Sequence, residues 1–252
     1  MSLEQAYNQI ILERINSSPA PIQKKISDLK EYLNTKENIL FLTTSNRRPG
    51  QDEERPKSTL FAYHLKDEFP SKNIRIIEVP DLNILPCVGN VSTKDGNSCG
   101  LKGALLEDKD KNPSGYHRCW VSYGNKDDEL WKISKELFKS DCVVFFSSIR
   151  WGQTNAIYQK LIERLNWIEN RHTTLSEANV VKDIDVGFIG LGHNWNGKVV
   201  VETQQQVLKF FGFKTPNQLF FNWQYTTDAY DESKEGYKQD PKVFEKVFKV
   251  EI

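Results

Sequence analysis

Five short apolar runs recur along the chain, at 39–42, 73–79, 143–146, 184–192 and 217–223. After each, with a connection of variable length, comes a segment whose apolar residues return every three or four positions. A strand buried on both faces reads as an unbroken apolar run, whereas a strand with one wet face alternates. Val143, Val144, Phe145 and Phe146 show no alternation. Strands of this kind, interleaved with helices, predict a parallel sheet covered on both sides, because parallel strands need crossover connections. Five of them predict the doubly wound, five-stranded arrangement. In such sheets ligands bind beyond the carboxyl ends of the strands, at the topological switch point. The residues directly after the first, third and fourth runs are therefore where chemistry is sought.

The interleaved helices are expected over 59–68, 129–140, from Ala156 onward, over 199–211 and in the closing "PKVFEKVFKV". Two more precede the first strand. Leu3, Tyr7, Ile10, Ile11 and Ile15 form one stripe, and Ile22, Ile26, Leu29 and Leu33 another, separated by "SSPAP". Proline breaks the first helix and starts the second. These residues, 1–36, read as a helical extension that either braces the domain or makes an oligomer contact. Residues 37–252 form the domain itself. Within it, 80–128 is rich in turn residues and poor in periodicity, so it reads as an elaborated insertion after the second strand. A lid, a dimer arm and a substrate wall are its three open readings.

The three strand ends share a chemistry. After the first run stand "TTSNRR" and then Lys57-Ser58-Thr59, which open a helix. Hydroxyls, guanidinium groups and the backbone N–H groups of a helix start favour an anion. The candidates for a phosphate are Ser45, Arg47, Arg48, Lys57, Ser58 and Thr59; alternatively Ser58 only caps the helix and the arginines are solvated. No G-x-G-x-x-G or Walker loop is present. After the third run stand Ser147, Ser148, Ile149, Arg150, Trp151, Gly152, Gln153, Thr154 and Asn155. Small residues let a flat ligand approach, Trp151 can lie against a ring, and the amides and hydroxyls supply polar edges. The competing reading packs Trp151 on the neighbouring helix. After the fourth run stand Gly190, Gly192, His193, Asn194, Trp195, Asn196 and Gly197, which repeat the theme. Together the three ends describe a pocket for a phosphorylated aromatic ligand.

At about residues 38–223 the chain resembles the NAD(P)H-dependent FMN reductase family. The resemblance is carried by "TTSNRRPG" with "KSTL", and most specifically by "FFSSIRWGQTNAIYQKLIERL", including Lys160, Glu163 and Arg164. It implies a flavodoxin-like three-layer sandwich, with FMN as cofactor and NAD(P)H as co-substrate. It also implies Ser45, Arg47, Ser58 and Thr59 at the FMN phosphate, and Ser148, Arg150, Trp151, Gln153 and Asn155 against the flavin. The loop 190–197 would flank the ring. The family's usual proline and tyrosine are replaced here by Ser148 and Arg150. The reaction implied is hydride transfer from the nicotinamide to flavin and on to a small acceptor such as a quinone or free flavin. Relatives are commonly dimers or tetramers, so a homodimer or homotetramer is expected.

Charge and cysteine usage narrow the alternatives. Lys+Arg and Asp+Glu balance at 34 each, without the basic excess that nucleic-acid partners favour. The same balance argues against the second reading, an acidic flavodoxin-type electron carrier. No apolar run approaches the length that spans a bilayer, and the N-terminus does not read as a secretory signal. Cys87, Cys99, Cys119 and Cys142 are too few and too dispersed for a disulfide framework or a compact cluster motif. Cys87, Cys99 and Cys119 read as ordinary thiols or part of a structured insertion, with a metal role the minority reading, and Cys142 as buried core; the protein is expected in the cytoplasm, with no metal. His193 could relay a proton, though it more simply reads as an ordinary exposed or structural histidine; His117 and Trp120 could line the substrate side, although no motif marks them for it.

Overall fold

The computed structural model describes residues 3–46, 55–89, 99–192 and 196–224. Helices α1 (Leu3–Ser17) and α2 (Ala20–Asn34) lead into β1 (Asn38–Thr43), α3 (Lys57–Glu68) and β2 (Asn73–Glu78). The insertion contains a short α4 (Trp120–Gly124). Then follow α5 (Leu130–Leu137), β3 (Cys142–Arg150), β4 (Gln153–Thr154), α6 (Ala156–Thr173), β5 (Asp185–Gly192), α7 (Gly197–Phe210) and β6 (Phe220–Gln224). The sheet order is β2-β1-β3-β5-β6, all parallel, with β4 hairpinned antiparallel onto β3. This is the flavodoxin-like doubly wound order, and it reverses direction between β1 and β3. The expected closing helix at 241–250 lies outside the described residues.

Right-handed crossovers place α3 on one face and α5, α6 and α7 on the other. Side chains confirm the two layers. Phe146 meets Phe61 of α3 edge-on at 5.8 Å. Its neighbour Phe145 points the other way, to Tyr158 of α6 at 5.4 Å. Successive strand residues face opposite sides, and both phenylalanines are fully buried, which is why this run cannot alternate.

The N-terminal helices act as a brace on the α3 face. α1 packs on α2 and α3, and α2 packs on the turn that precedes β6. Ile26, Leu29 and Leu33 are buried in the common core. The buried Trp223 of β6 stacks edge-on against Phe61 and donates its indole N–H to the Ser18 hydroxyl at 3.1 Å. The Tyr32 hydroxyl donates to Asp185 at the base of β5 (2.8 Å).

The insertion is held to α5 and α6 by buried polar groups. The Arg164 guanidinium, with no exposed side-chain surface, donates to both carboxylate oxygens of Asp128 at 2.8 Å. It also donates to the Leu85 carbonyl, to the Ser122 hydroxyl and, at 3.4 Å, to Cys119 Sγ. Arg118 and Arg171 share Glu177. His117, left by the sequence as a substrate-side candidate, is instead a core residue. It is fully buried, with Nδ1 2.6 Å from the Ser134 hydroxyl and its ring edge-on to Trp167.

Burial pushes the His117 imidazole down to about 3; Asp128 opposes the shift and Arg164 adds to it. The folded protein therefore keeps this ring neutral, while the unfolded chain protonates it near pH 6.5. Stability is complete above that value and declines as the pH falls toward the folded pKa, by about 1.4 kcal/mol per unit. Urea unfolding at pH 7 and pH 5 should show the wild type losing about 2 kcal/mol more than His117→Gln.

Candidate functional site: a polar cradle at the strand ends

The carboxyl ends of β1 and β3 are stitched together before any ligand is considered. The Thr44 N–H donates to the Phe146 carbonyl at 3.0 Å. Asn155 is the clasp. Its side-chain oxygen accepts the Tyr158 N–H and caps α6, and its amide donates to the hydroxyls of Thr44 (3.1 Å), Ser147 (2.9 Å) and Ser148 (3.3 Å). Asn155 and Ser147 are buried and Ser148 is half-buried. The small polar residues at this junction thus form one hydrogen-bonded floor. Asn155 builds that floor from within.

Beside it, α3 begins without a side-chain cap. Its N-cap is Pro56, and no acidic residue stands in its first turn. The first N–H groups of a helix lack intrahelical partners, and their dipole end attracts negative charge. Ser58 donates to the buried Ser45 hydroxyl at 2.7 Å. The hydroxyls of Thr59 and Thr43 are buried with no hydrogen-bond partner among the described residues. Lys57, half-buried, is the first residue of the helix. Arg47 and Arg48 lie outside the described residues.

The third run proves longer than the apolar stretch suggests. β3 continues to Arg150 and turns back at once into β4, with Ile149 opposite Thr154 and Arg150 opposite Gln153. The two turn residues are Trp151 (φ 51°) and Gly152 (φ 68°). Positive φ at both positions is the type I′ geometry, which matches strand twist and prefers Asn-Gly. A tryptophan in the first position is unfavourable for its backbone. It is nonetheless held there, 80% exposed at the tip, so it does not pack on the neighbouring helix. Arg150 and Gln153 are exposed, Thr154 is half-buried and Ile149 is buried. Arg150 Nε lies 3.4 Å from the Ser148 hydroxyl. Replacing Trp151 with Asn should raise stability by about 0.5–1 kcal/mol by supplying the favoured turn residue. Thermal unfolding checks this.

At the end of β5, Gly192 takes φ 127°. Gly190 leaves room for Ile149, since a Cβ there would stand 2.8 Å from Ile149 Cδ1. Asn196, left-handed at φ 57°, donates to the Gly152 carbonyl at 2.8 Å and ties α7 to the hairpin. His193, Asn194 and Trp195 lie outside the described residues. The roles of Thr44 and Asn196 escape sequence reading. Each depends on a partner more than forty residues away, and the only local sign is a hydroxyl or amide at a strand end.

Among the described residues, no group of three or more His, Cys, Asp or Glu is placed to hold a metal ion, and no helix is long and apolar enough to cross a membrane. An open groove of about 480 Å³ runs along the outer edge of β2, between Tyr63 and Trp131. It does not include the polar strand ends.

No protein-family model matches the chain, and no curated protein matches it. Solved structures do. RosB, with the bound intermediate 8-demethyl-8-formylriboflavin-5'-phosphate, is 14% identical over 74% of this chain and 64% of its own, with a TM-score of 0.49. An azoreductase from Bacillus anthracis is 13% identical over 71% of this chain and 85% of its own, with a TM-score of 0.42. The apo form of an NADH:FMN oxidoreductase is 12% identical over 71% of each chain, with a TM-score of 0.39. The chain thus spans 64% of the length of RosB, while its flavodoxin-like strand order stands on its own hydrogen-bond ladder.

Proposed function

We propose that the protein binds FMN at these strand ends and uses it as an NAD(P)H-dependent oxidoreductase acting on a small flat acceptor, of the quinone or free-flavin kind. The observation that carries the reading is the uncapped start of α3. A helix start without a side-chain cap, a first turn without acids and the unpartnered buried hydroxyl of Thr59 converge there. A phosphate dianion satisfies all of these at once, since it accepts several hydrogen bonds and complements the helix dipole. Ser45, Ser58 and Thr59 would hold it, with Lys57 and, from the sequence, Arg47 and Arg48 supplying positive charge.

The isoalloxazine would lie from the Ser147–Thr154 hairpin to the 190–194 loop. Bound there, FMN supplies two-electron transfer, the difficult step for side chains alone. The chain's own residues bind and position. Asn155 fixes the hydroxyls of Ser147 and Ser148, Trp151 offers an aromatic face at the rim, and Arg150 sets a cation beside the ring. Hydride transfer through a bound flavin needs no side-chain nucleophile.

The test is steady-state oxidation of NADPH and NADH by FMN-loaded protein with a benzoquinone as acceptor. Continuous turnover is the expected result. A single stoichiometric reduction without turnover would instead indicate an electron carrier.

A further inference from the structure

β2 is an edge strand whose outer rim is not blunted. The Asn73 N–H donates to the Glu37 carbonyl at 3.0 Å, so Asn73, Arg75 and Ile77 turn their backbone groups toward β1. Backbone direction alternates along a strand, and the N–H and C=O groups of Ile76 and Glu78 therefore point outward, away from the sheet. Edges of this kind are ordinarily protected by charges, proline or a covering element. Here the middle of the strand is Ile76-Ile77, both half-buried. The two flanking layers supply walls. Tyr63 of α3 stands on one side, its hydroxyl donating to Glu78 at 2.9 Å, and Trp131 of α5 stands on the other. The groove between them, about 480 Å³, thus combines a free backbone rim with two aromatic walls.

Its charges are arranged by position. Glu78, Lys132 and Glu136 are paired, with Arg55, Glu129 and Arg75. Asp81 and Lys135, which also line the groove, have no ion pair among the described residues. They lie toward opposite ends. Asp81 follows the carboxyl end of β2, and the Glu129 N–H donates to the Asn83 carbonyl at 2.9 Å, which sets the start of α5 at that end. Lys135 stands about 9 Å further along α5, next to Glu136, which pairs with Arg75 nearer the amino end of β2.

We propose that this groove binds an extended peptide segment of another protein, which adds to β2 as an antiparallel strand. Strand addition draws affinity from main-chain hydrogen bonds and specificity from pockets for alternate side chains, and antiparallel pairing is slightly the more stable. In that direction the N-terminal end of the peptide lies by Asp81 and its C-terminal end by Lys135. The groove therefore selects a basic residue followed four positions later by an acidic one, both on the face toward α5. An aromatic residue between them meets Trp131, and the two β-branched residues that alternate with it meet Ile76 and Tyr63.

The experiment is fluorescence anisotropy of the full-length protein with fluorescein-labelled Thr-Lys-Val-Tyr-Val-Glu-Thr, and with a counterpart in which the Lys and Glu are exchanged. The first should bind saturably with a dissociation constant below about 1 mM, at least tenfold tighter than the second. Ile76→Pro should weaken it at least tenfold with an unchanged circular dichroism spectrum, because the lost N–H faces outward and bonds nothing in β1. The double variant Asp81→Lys/Lys135→Asp should reverse the preference between the two peptides. Absence of saturable binding by the first peptide would overturn the proposal, as would equal affinity for both peptides or binding indifferent to Ile76→Pro. So would sedimentation equilibrium showing a wild-type dimer that Ile76→Pro dissociates, which would make β2 of a second copy the occupant.

Discussion

Replacing Asp128 with alanine should cost about 3–5 kcal/mol of folding stability. The Arg164 side chain is fully enclosed, and Asp128 supplies its only carboxylate among the described residues. Without it a guanidinium remains buried beside a carbonyl, a hydroxyl and a thiol, which do not neutralise its charge. Urea unfolding measures the loss. Removing both charges in Asp128→Ala/Arg164→Met should recover most of it, because desolvating the pair offsets much of its attraction. Burial alone would raise the Asp128 pKa, but the hydrogen bonds from Arg164 and Ser122, with the Arg164 charge, outweigh it and hold the carboxyl below its ordinary value. The pair's contribution is therefore complete above about pH 4 and lost only as the pH falls below that. Acid destabilisation should thus come in two stages, with His117 acting first and Asp128 last. FMN affinity of the folded Asp128→Ala protein should be nearly unchanged, because the pair sits along α6, away from the strand ends.

Lys57→Glu should separate phosphate recognition from ring recognition. A carboxylate in the first turn of α3 suits the helix dipole, which offsets the loss of the interaction Lys57 makes. The same carboxylate repels a phosphate dianion at that helix start. FMN affinity should fall by about 100-fold or more, roughly 2.7 kcal/mol, while riboflavin, which lacks the phosphate, should bind within a few-fold of its wild-type constant. Equal losses for both ligands would place the phosphate elsewhere.

The sheet was legible because its central strands β1 and β5 are buried along nearly their whole length and so repeat no polar residue; with the edge strand β2, they fall within a residue or two of the runs that predict them. The far end of β3 was not. Ser147 to Arg150 is polar, and only the pairing of Arg150 with Gln153 across a Trp-Gly turn makes it strand. Hairpin signals rest on Asn-Gly or Asp-Gly, and Trp-Gly breaks that rule at a position where strain is retained. The insertion looked structureless for a different reason. Its order comes from long-range polar contacts, such as Arg164 to Leu85 and Arg118 to Glu177, and these leave no periodicity. The hydroxyl cluster after β1 could be read as an anion site from residue types alone. That Asn155 serves as the floor's clasp depends on partners as far as Thr44, and it emerges only in three dimensions.

The proposed FMN site at the carboxyl ends of β1, β3 and β5 is tested by equilibrium titration of the purified protein with FMN and with riboflavin, followed by flavin fluorescence quenching. Saturable binding of FMN, at least tenfold tighter than riboflavin and weakened by added inorganic phosphate, is the predicted result. A protein that binds neither flavin, or binds both equally and indifferently to phosphate, would contradict it.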